Sequence, residues 1–506
     1  MNQDNGGVIG KINTPTQTAA SGVWSIEQQF EAQSSSIWPL AFPQTTFTNA
    51  CRFDDGSSDS LYKTFSGNGN RKTFTFSAWV KRATVGSGDH CLIATSLSAS
   101  DDNTMELFFQ GGDKLAVGRY HNYNLITNAL FRDPSAWYHI VLACDTTQST
   151  AANRMKLYVN SFEITSFATA SYPSQNDDLP LLAGSQRINI GAQYYTALSQ
   201  NTRFLDGYMT EVIMVDGQQL TPTSFGATNP VTNIWEPIAY TGTYGTNGYK
   251  LNFSDSSALG DDTSGNANDW TVSNLTSIDQ STDTCSNNFA TLNPLVTISG
   301  GTLSEANLKY NYGSNGWRSS FSSIGANKGK WYCEVKFDSG TYLVVGIVDE
   351  DGYSRNSGNF LADSTFNYSH GYGYYSNDGH GNSTGKDGQG TDVTYGNSFA
   401  AGDIIGIAMD LDNGKLYFSK NGTFQDSGDP TSGSTGTGSV YNITNSTTLN
   451  YFFGVSPYNA TASLNTGNPS FSISSGNSDA NGFGNFEYAV PSGYFALCTK
   501  NLAEFG

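Results

Sequence analysis

A chain of 506 residues exceeds one ordinary core and predicts roughly two to three domains. Only 14% of its residues are charged, 13% are aromatic and 55 are glycine, a strand-and-turn composition that predicts an almost all-β protein. The net charge of −19, from 33 Asp and 11 Glu against 25 Lys and Arg, repels nucleic acid and anionic lipid and argues against both as partners.

Cys51, Cys91, Cys144, Cys285, Cys333 and Cys498 are scattered without CxxC spacing, so neither a disulfide nor a zinc site is expected. The opening MNQDNGGVIGKINTP has no basic stretch and no apolar one. No apolar run approaches the roughly 18 residues of a membrane span. Neither a signal peptide nor membrane insertion is expected.

Residues 1–45 stand apart from the rest. An extended Gly/Asn/Thr/Pro segment leads into SGVWSIEQQFEAQSSSIWP, where Ser25 and Gln28 form a capping box. A short helix is expected over about Ile26–Gln33, closed by Trp38-Pro39. Such a helix is too short to be stable alone and must dock on its own chain or on a larger assembly. Val23, Trp24, Ile26, Phe30 and Trp38 are the candidate anchoring residues.

Residues 46–272 read as a succession of strands. RKTFTFSAWVKR sets Phe74, Phe76, Ala78 and Val80 on one face, and SAWYHIVLACDTT is apolar on both faces, as a central strand is. MKLYVNSFEIT places Asn160-Ser161 at a hairpin turn, with Ser where Gly is the usual choice. QRINIGAQ and RFLDGYMTEVIMVDGQQLTPTSF follow. Short, regular strand spacing without a helical period predicts a β-sandwich or jelly roll. Residues 273–300 have no period and read as a connector.

Residues 301–506 form a second strand-rich unit. GKWYCEVKFDSGTYLVVGIVDED alternates through Trp331, Cys333, Val335 and Phe337. In GDIIGIAMDLDNGKLYFSKNG, Asn413-Gly414 predicts a two-residue type I′ turn. That turn pairs Leu411 with Leu416 and Met409 with Phe418 on one face, and Asp410 with Tyr417 and Ala408 with Ser419 on the other. LNYFFGVSPYNATASLNTG is a further strand, and the aromatic tail GNFEYAVPSGYFALCTKNL reads as tied down.

The order of the pieces in 46–272 resembles the laminin G-like/concanavalin A-like lectin superfamily. The resemblance implies that Trp79 and Trp137 are core residues and that Phe204, Asp206-Gly207 and Glu211-Val212 belong to the closing strand. The WYCEV strand, its GIVDED continuation, the Asn413-Gly414 hairpin and the LNYFFGVSPY strand resemble a SPRY domain. The expected fold is therefore all-β, two tandem sandwiches behind a short N-terminal segment with one short helix.

Candidate chemistry is sparse. Glycan hydrolases on concanavalin-like folds carry paired acids on one strand face, as a two-carboxylate mechanism requires. No E-x-D-x-E pattern occurs, and Asp349-Glu350-Asp351-Gly352 reads as a solvated loop. His139 reads as a packed strand residue, and no histidine has a Ser, Cys or Asp partner at a recognisable spacing. No enzyme activity and no catalytic residue are expected. No cofactor is expected either. The lectin resemblance alone would add calcium, at DDTSGNANDW (261–270), which has the right residue types without a regular D-x-D-x-D-G loop. In FNYSHGYGYYSNDGHGNSTGKDGQG, Tyr372 and Tyr374 read as strand core, and Tyr375, His380 and Asn382 are the candidate binding residues.

GGVIGxINTP, SGVWSIEQQFEAQ, NRKTFTFSAWVKR, DDTSGNANDWTVSNL and NNFATLNPL together resemble fibre and appendage proteins of marine tailed bacteriophages. The resemblance implies a protein of the virion surface. Residues 1–45 would dock on other virion proteins of tail or capsid, and the sandwiches would face host cell-surface glycan or protein. Multivalent display implies a homo-oligomer such as a trimer. The alternatives are a head-decoration or spacer protein without receptor binding, and a glycan depolymerase.

Overall fold

The computed structural model describes residues 26–34, 45–96, 104–119, 123–196, 198–229, 232–296, 300–355, 370–376, 380–384, 390–443 and 449–506. The chain divides into two compact units, Met1–Thr46 with Pro222–Thr241, and Phe47–Thr221 with Gly242–Gly506.

In the smaller unit, the helix Ile26–Ser34 matches the expected position. Gly226–Thr228 pairs antiparallel with Trp235–Pro237. Phe225 stacks on Tyr240 with ring centres 5.2 Å apart. Gly226 has no room for a side chain, because a Cβ there would lie 2.5 Å from the Trp235 indole.

The larger unit holds two sandwiches. In the first, one sheet runs Phe162–Glu163, Met155–Val159, Trp137–Asp145, Thr73–Arg82, Gly207–Asp216, Ala50–Phe53, Gln280–Ser281. The second sheet runs Phe167–Ser171, Tyr123–Leu130, Lys114–Arg119, Glu106–Gln110, His90–Thr95, Arg187–Ile190, Ser60–Thr64, Thr271–Ser273. Phe74, Phe76, Ala78 and Val80 face the shared core with Ile140, Leu142, Leu107 and Val117, as the alternation predicts. The Asn160-Ser161 turn is of the expected primed type, with φ of 48° and 74° and Val159 paired to Phe162.

Of the two tryptophans expected in the core, Trp79 is buried and Trp137 is not. Trp79 and Trp137 occupy the alternate positions of their strands and face away from the central core. Trp79 is buried against His139, its ring centre 4.7 Å away. Trp137 is half-buried and packs with Ala83, Tyr208 and Ala306.

The second sandwich is one continuous sheet, because two long strands serve both of its layers. Lys330–Asp349 pairs with Ile404–Asp410 through its first half, with Gly371–Tyr375 through its second, and with Tyr451–Asn465 nearly throughout. Between Phe337 and Ser339 its register shifts. At Gly340, φ is 119° and a Cβ would lie 2.3 Å from the Ala460 Cα, so only glycine fits.

The hairpin at Asn413-Gly414 is corrected in register. The strands end at Asp410 and begin again at Lys415, leaving a four-residue loop. Met409 pairs with Leu416, Ile407 with Phe418, and Asp410 with Lys415. Gly414 has a φ of 64°, but Asn413 does not have a positive φ. The cause is local. The Asp410 carboxylate accepts from both the backbone and the side-chain amide of Asn413, and Leu411 N–H donates to the Gly329 carbonyl. These bonds use groups that a two-residue turn would have placed in the ladder. The shift is an even number of residues, so every side chain keeps its expected face.

Asp349 is likewise not in a solvated loop. It is buried, accepts from Gly352 N–H at 3.0 Å and caps the short helix Glu350–Arg355. All six cysteines are free.

Candidate functional site

The sharp turn at Gly340 delivers Tyr342 directly opposite Tyr458 on the neighbouring strand. Their ring centres are 5.8 Å apart. Trp317 joins them from the segment before the strand pair, 5.2 Å from Tyr458 and 6.5 Å from Tyr342. Tyr375 completes the group, edge-on to Trp317 at 5.4 Å and 6.0 Å from Tyr342. All four rings are half-buried. Four large aromatics that stay partly in water on one surface are unusual for a sandwich, where such rings normally close into the core.

Beside this platform lies a cleft of about 330 Å³ lined by Phe337, Tyr342, Ser376, Ser398, Phe399 and Lys420, among others. Phe337 and Phe399 meet edge to face at 6.2 Å and form its apolar side. The Ser376 hydroxyl accepts from Leu343 N–H at 2.9 Å. The Lys420 ammonium donates to the Ser398 carbonyl at 2.8 Å and pairs with Asp403 at 3.2 Å. Burial would push the Asp403 carboxyl up, but bonds from Ala400 N–H, Asn421 and Lys420 hold it below the usual range. Tyr342 belongs to both platform and cleft, so the two make one continuous surface.

Of the binding residues expected from sequence, Tyr375 is part of this surface. Tyr372 and Tyr374 are buried in the core, as expected. His380 and Asn382 lie on the adjoining strand His380–Thr384 rather than in a loop, Asn382 at the register position of Gly373, with side chains outside the described residues. Sequence reading missed Trp317, Tyr342 and Tyr458. Each stands among turn residues (GSNGW, DSGTY, SPYN), which was the available signal.

Among the anchoring candidates, Val23, Trp24 and Trp38 lie outside the described residues, and Ile26 opens the helix with its side chain also outside them. Phe30 stands 70% exposed on that helix.

Other chemistry fares poorly. Ser77 and His139 are hydrogen-bonded at 2.9 Å, a pairing the sequence spacing did not reveal. Both are fully buried, and burial lowers the His139 pKa to about 3, too weak a base to activate a hydroxyl near neutrality. His370 Nδ1 lies 2.9 Å from the helix-capping Asp349. In the 261–270 loop, the side chains that suggested calcium are used to build the turn. The Asp262 carboxylate already accepts from the N–H groups of Lys250, Ser264 and Asn268 and from the Ser264 hydroxyl. Asn266 and Asn268 donate into the carbonyls of Gly245, Thr246 and Gly248, so these side chains hold the turn together.

Comparison with known proteins agrees with this architecture. Residues 55–223 match the concanavalin A-like lectin/glucanases superfamily, and residues 330–468 match the SPRY domain. Among solved structures, the SPRY domain of human HERC1 is 14% identical, over 34% of this chain and 96% of that one, with a TM-score of 0.25. A heptameric SAP-like pentraxin from Limulus polyphemus is 13% identical, over 35% of this chain and 80% of that one, with a TM-score of 0.27. Likeness at that level carries no function across. No curated protein matches the chain. The chain carries a laminin G-like/concanavalin A-like domain followed by a SPRY domain, both β-sandwiches.

Proposed function

We propose that this chain is a non-enzymatic virion protein, a tail fibre or related surface appendage, that presents its sandwiches to glycan on a host surface. The observation that carries the binding role is the half-buried Trp317–Tyr342–Tyr375–Tyr458 platform beside the cleft. A hexose has one face of C–H groups and a rim of hydroxyls. Aromatic rings pack on the first, while Ser376, Ser398 and Lys420 offer partners to the second. Tyr and Trp bring contact area at small cost in side-chain entropy.

Among the described residues, none that lines the cleft is an acid, which favours binding over glycan hydrolysis. The exposed Phe30 on a helix too short to stand alone supports docking on a neighbouring virion protein. Weak single sites on a homo-oligomer gain by multivalency.

Calorimetric titration of the full chain with host surface polysaccharide tests the binding role. Trp317→Ala and Tyr458→Ala should each weaken binding by about tenfold or more while leaving the fold intact. Unchanged affinity in both variants would overturn it, and release of new reducing ends would replace it with hydrolysis. Mass spectrometry of purified particles tests the placement, which fails if the chain is absent from them.

A further inference from the structure

A reactive trio lies between the first sandwich and the 273–300 segment. Lys81, near the end of the strand Thr73–Arg82, is 1% exposed. Its ammonium donates to Asp283 Oδ2 at 2.7 Å, to Asn288 Oδ1 at 2.7 Å and to the Phe289 carbonyl at 3.2 Å. The amine therefore faces the side-chain carbonyl of an asparagine with a carboxylate beside it.

Each partner is held in place. Asn288 N–H donates to the Thr499 hydroxyl at 3.0 Å, and Thr499 N–H donates back to the Asn288 carbonyl at 2.9 Å. The Asn288 side-chain Nδ2 donates to the Ser135 carbonyl at 2.5 Å, which turns Oδ1 toward the lysine. The flipped amide would set donor against donor at Lys81 and acceptor against acceptor at Ser135. Asp283 is fully buried, and its Oδ1 accepts from the Trp137 indole N–H at 3.1 Å. Burial pushes its carboxyl up by more than the Lys81 ammonium lowers it. The buried Tyr208 ring adds an apolar wall, its centre 5.6 Å from the Lys81 nitrogen.

A buried pair of opposite charges is costly, and a reaction that removes both relieves the cost. A desolvated lysine beside a base is an activated nucleophile. Fixing it against one carbonyl replaces a chance encounter with an intramolecular step, and burial keeps water from competing.

We propose that Lys81 and Asn288 join in an intramolecular isopeptide bond, with Asp283 as the proton relay. Asp283 takes one proton from the ammonium and keeps it. The freed lone pair adds to Asn288 Cγ, and the carbonyl electrons move onto Oδ1. As they return, the Cγ–Nδ2 bond breaks with its electron pair on nitrogen. A second proton passes from the attacking nitrogen through the Asp283 carboxyl to Nδ2, which leaves as ammonia. One C–N bond replaces another, no oxidant is consumed and both buried charges disappear. Asn288 is only half-buried, which gives the ammonia a way out. The bond ties the strand Thr73–Arg82 to a segment that Thr499 joins to the helix Thr499–Phe505. It is independent of the glycan reading.

Intact-mass measurement of the denatured full chain, with peptide mapping, tests the bond. Wild type should weigh less than its sequence by one ammonia, about 17 Da, and digestion should yield a branched peptide joining Lys81 to Asn288. Asn288→Ala and Lys81→Arg should each weigh what their sequences require. Asp283→Asn should leave most of the chain without the crosslink. Before the bond forms, Lys81 and Asp283 are an ion pair, and Asn288→Ala supplies the unreacted reference in which that pair is measured. Wild type at its full sequence mass would overturn the proposal. So would a loss of the same size that persists in Asn288→Ala or Lys81→Arg, since a cyclised asparagine also sheds ammonia. Complete crosslinking in Asp283→Asn would overturn the role given to Asp283.

Discussion

His139 is locked into one charge state by its surroundings. It is fully buried between Trp79 and Ser77, and burial lowers its pKa to about 3 from an ordinary value near 6.5. Below pH 6.5 the unfolded chain takes up a proton that the fold refuses. Stability is therefore fully present above about pH 6.5 and is lost as pH falls toward 3, by about 1.4 kcal/mol per pH unit from this residue. Denaturant titrations across that range should give a slope smaller by about one proton in His139→Gln than in wild type. Equal slopes would refute the assignment. At this scale the sequence was partly legible. The packed state of His139 and the core roles of Tyr372 and Tyr374 follow from alternation. The platform does not, because Trp317, Tyr342, Tyr375 and Tyr458 come from separate segments that only the bent strand pair brings together.

Hairpins show why some elements are readable and others are not. At Asn160-Ser161 two residues with positive φ connect strands in the register the pattern predicts. Ser161 pays a left-handed penalty there at φ 74°, so Ser161→Gly should raise stability by roughly 0.5–1 kcal/mol, read as a higher denaturation midpoint with an unchanged slope. A lower midpoint would show that the hydroxyl contributes more than the strain removes. At Asn413-Gly414 the same dipeptide logic failed, since Asp410 recruits Asn413 into a wider loop. Side-chain capping of a turn is a three-dimensional fact that the dipeptide alone does not carry. The faces survived because hydrophobic alternation, rather than turn type, sets them.

For the larger unit as a whole, the first sandwich meets the 273–300 segment and the second sandwich through buried polar contacts beside the apolar group of Trp137, Ala83, Tyr208 and Ala306. The Lys81 ammonium meets Asp283 at 2.7 Å, Asn288 at 2.7 Å and the Phe289 carbonyl at 3.2 Å, and Trp137 donates to the same Asp283 at 3.1 Å. Arg52 reaches Asp279, Glu305 and the Pro469 carbonyl. Tyr208 donates to the Ala306 carbonyl at 3.1 Å, and Ser281 to Asn468 at 2.9 Å. Lys81→Met should cost about 3–5 kcal/mol, because it strands a fully buried Asp283, and Lys81→Met with Asp283→Leu should recover most of that loss. A loss below about 1 kcal/mol in the single variant would mean water reaches the pair. None of this was visible in sequence, where residues 273–300 have no period and read as a mere connector. The junction also bears on inheritance. Binding proteins diversify by exchanging modules at slack linkers, but here a new first sandwich would have to supply Lys81 to the 273–300 segment and Arg52 to the second sandwich, which already expect them. The two should travel between genomes as one cassette, with variation in binding gathered at the aromatic surface and its neighbouring loops.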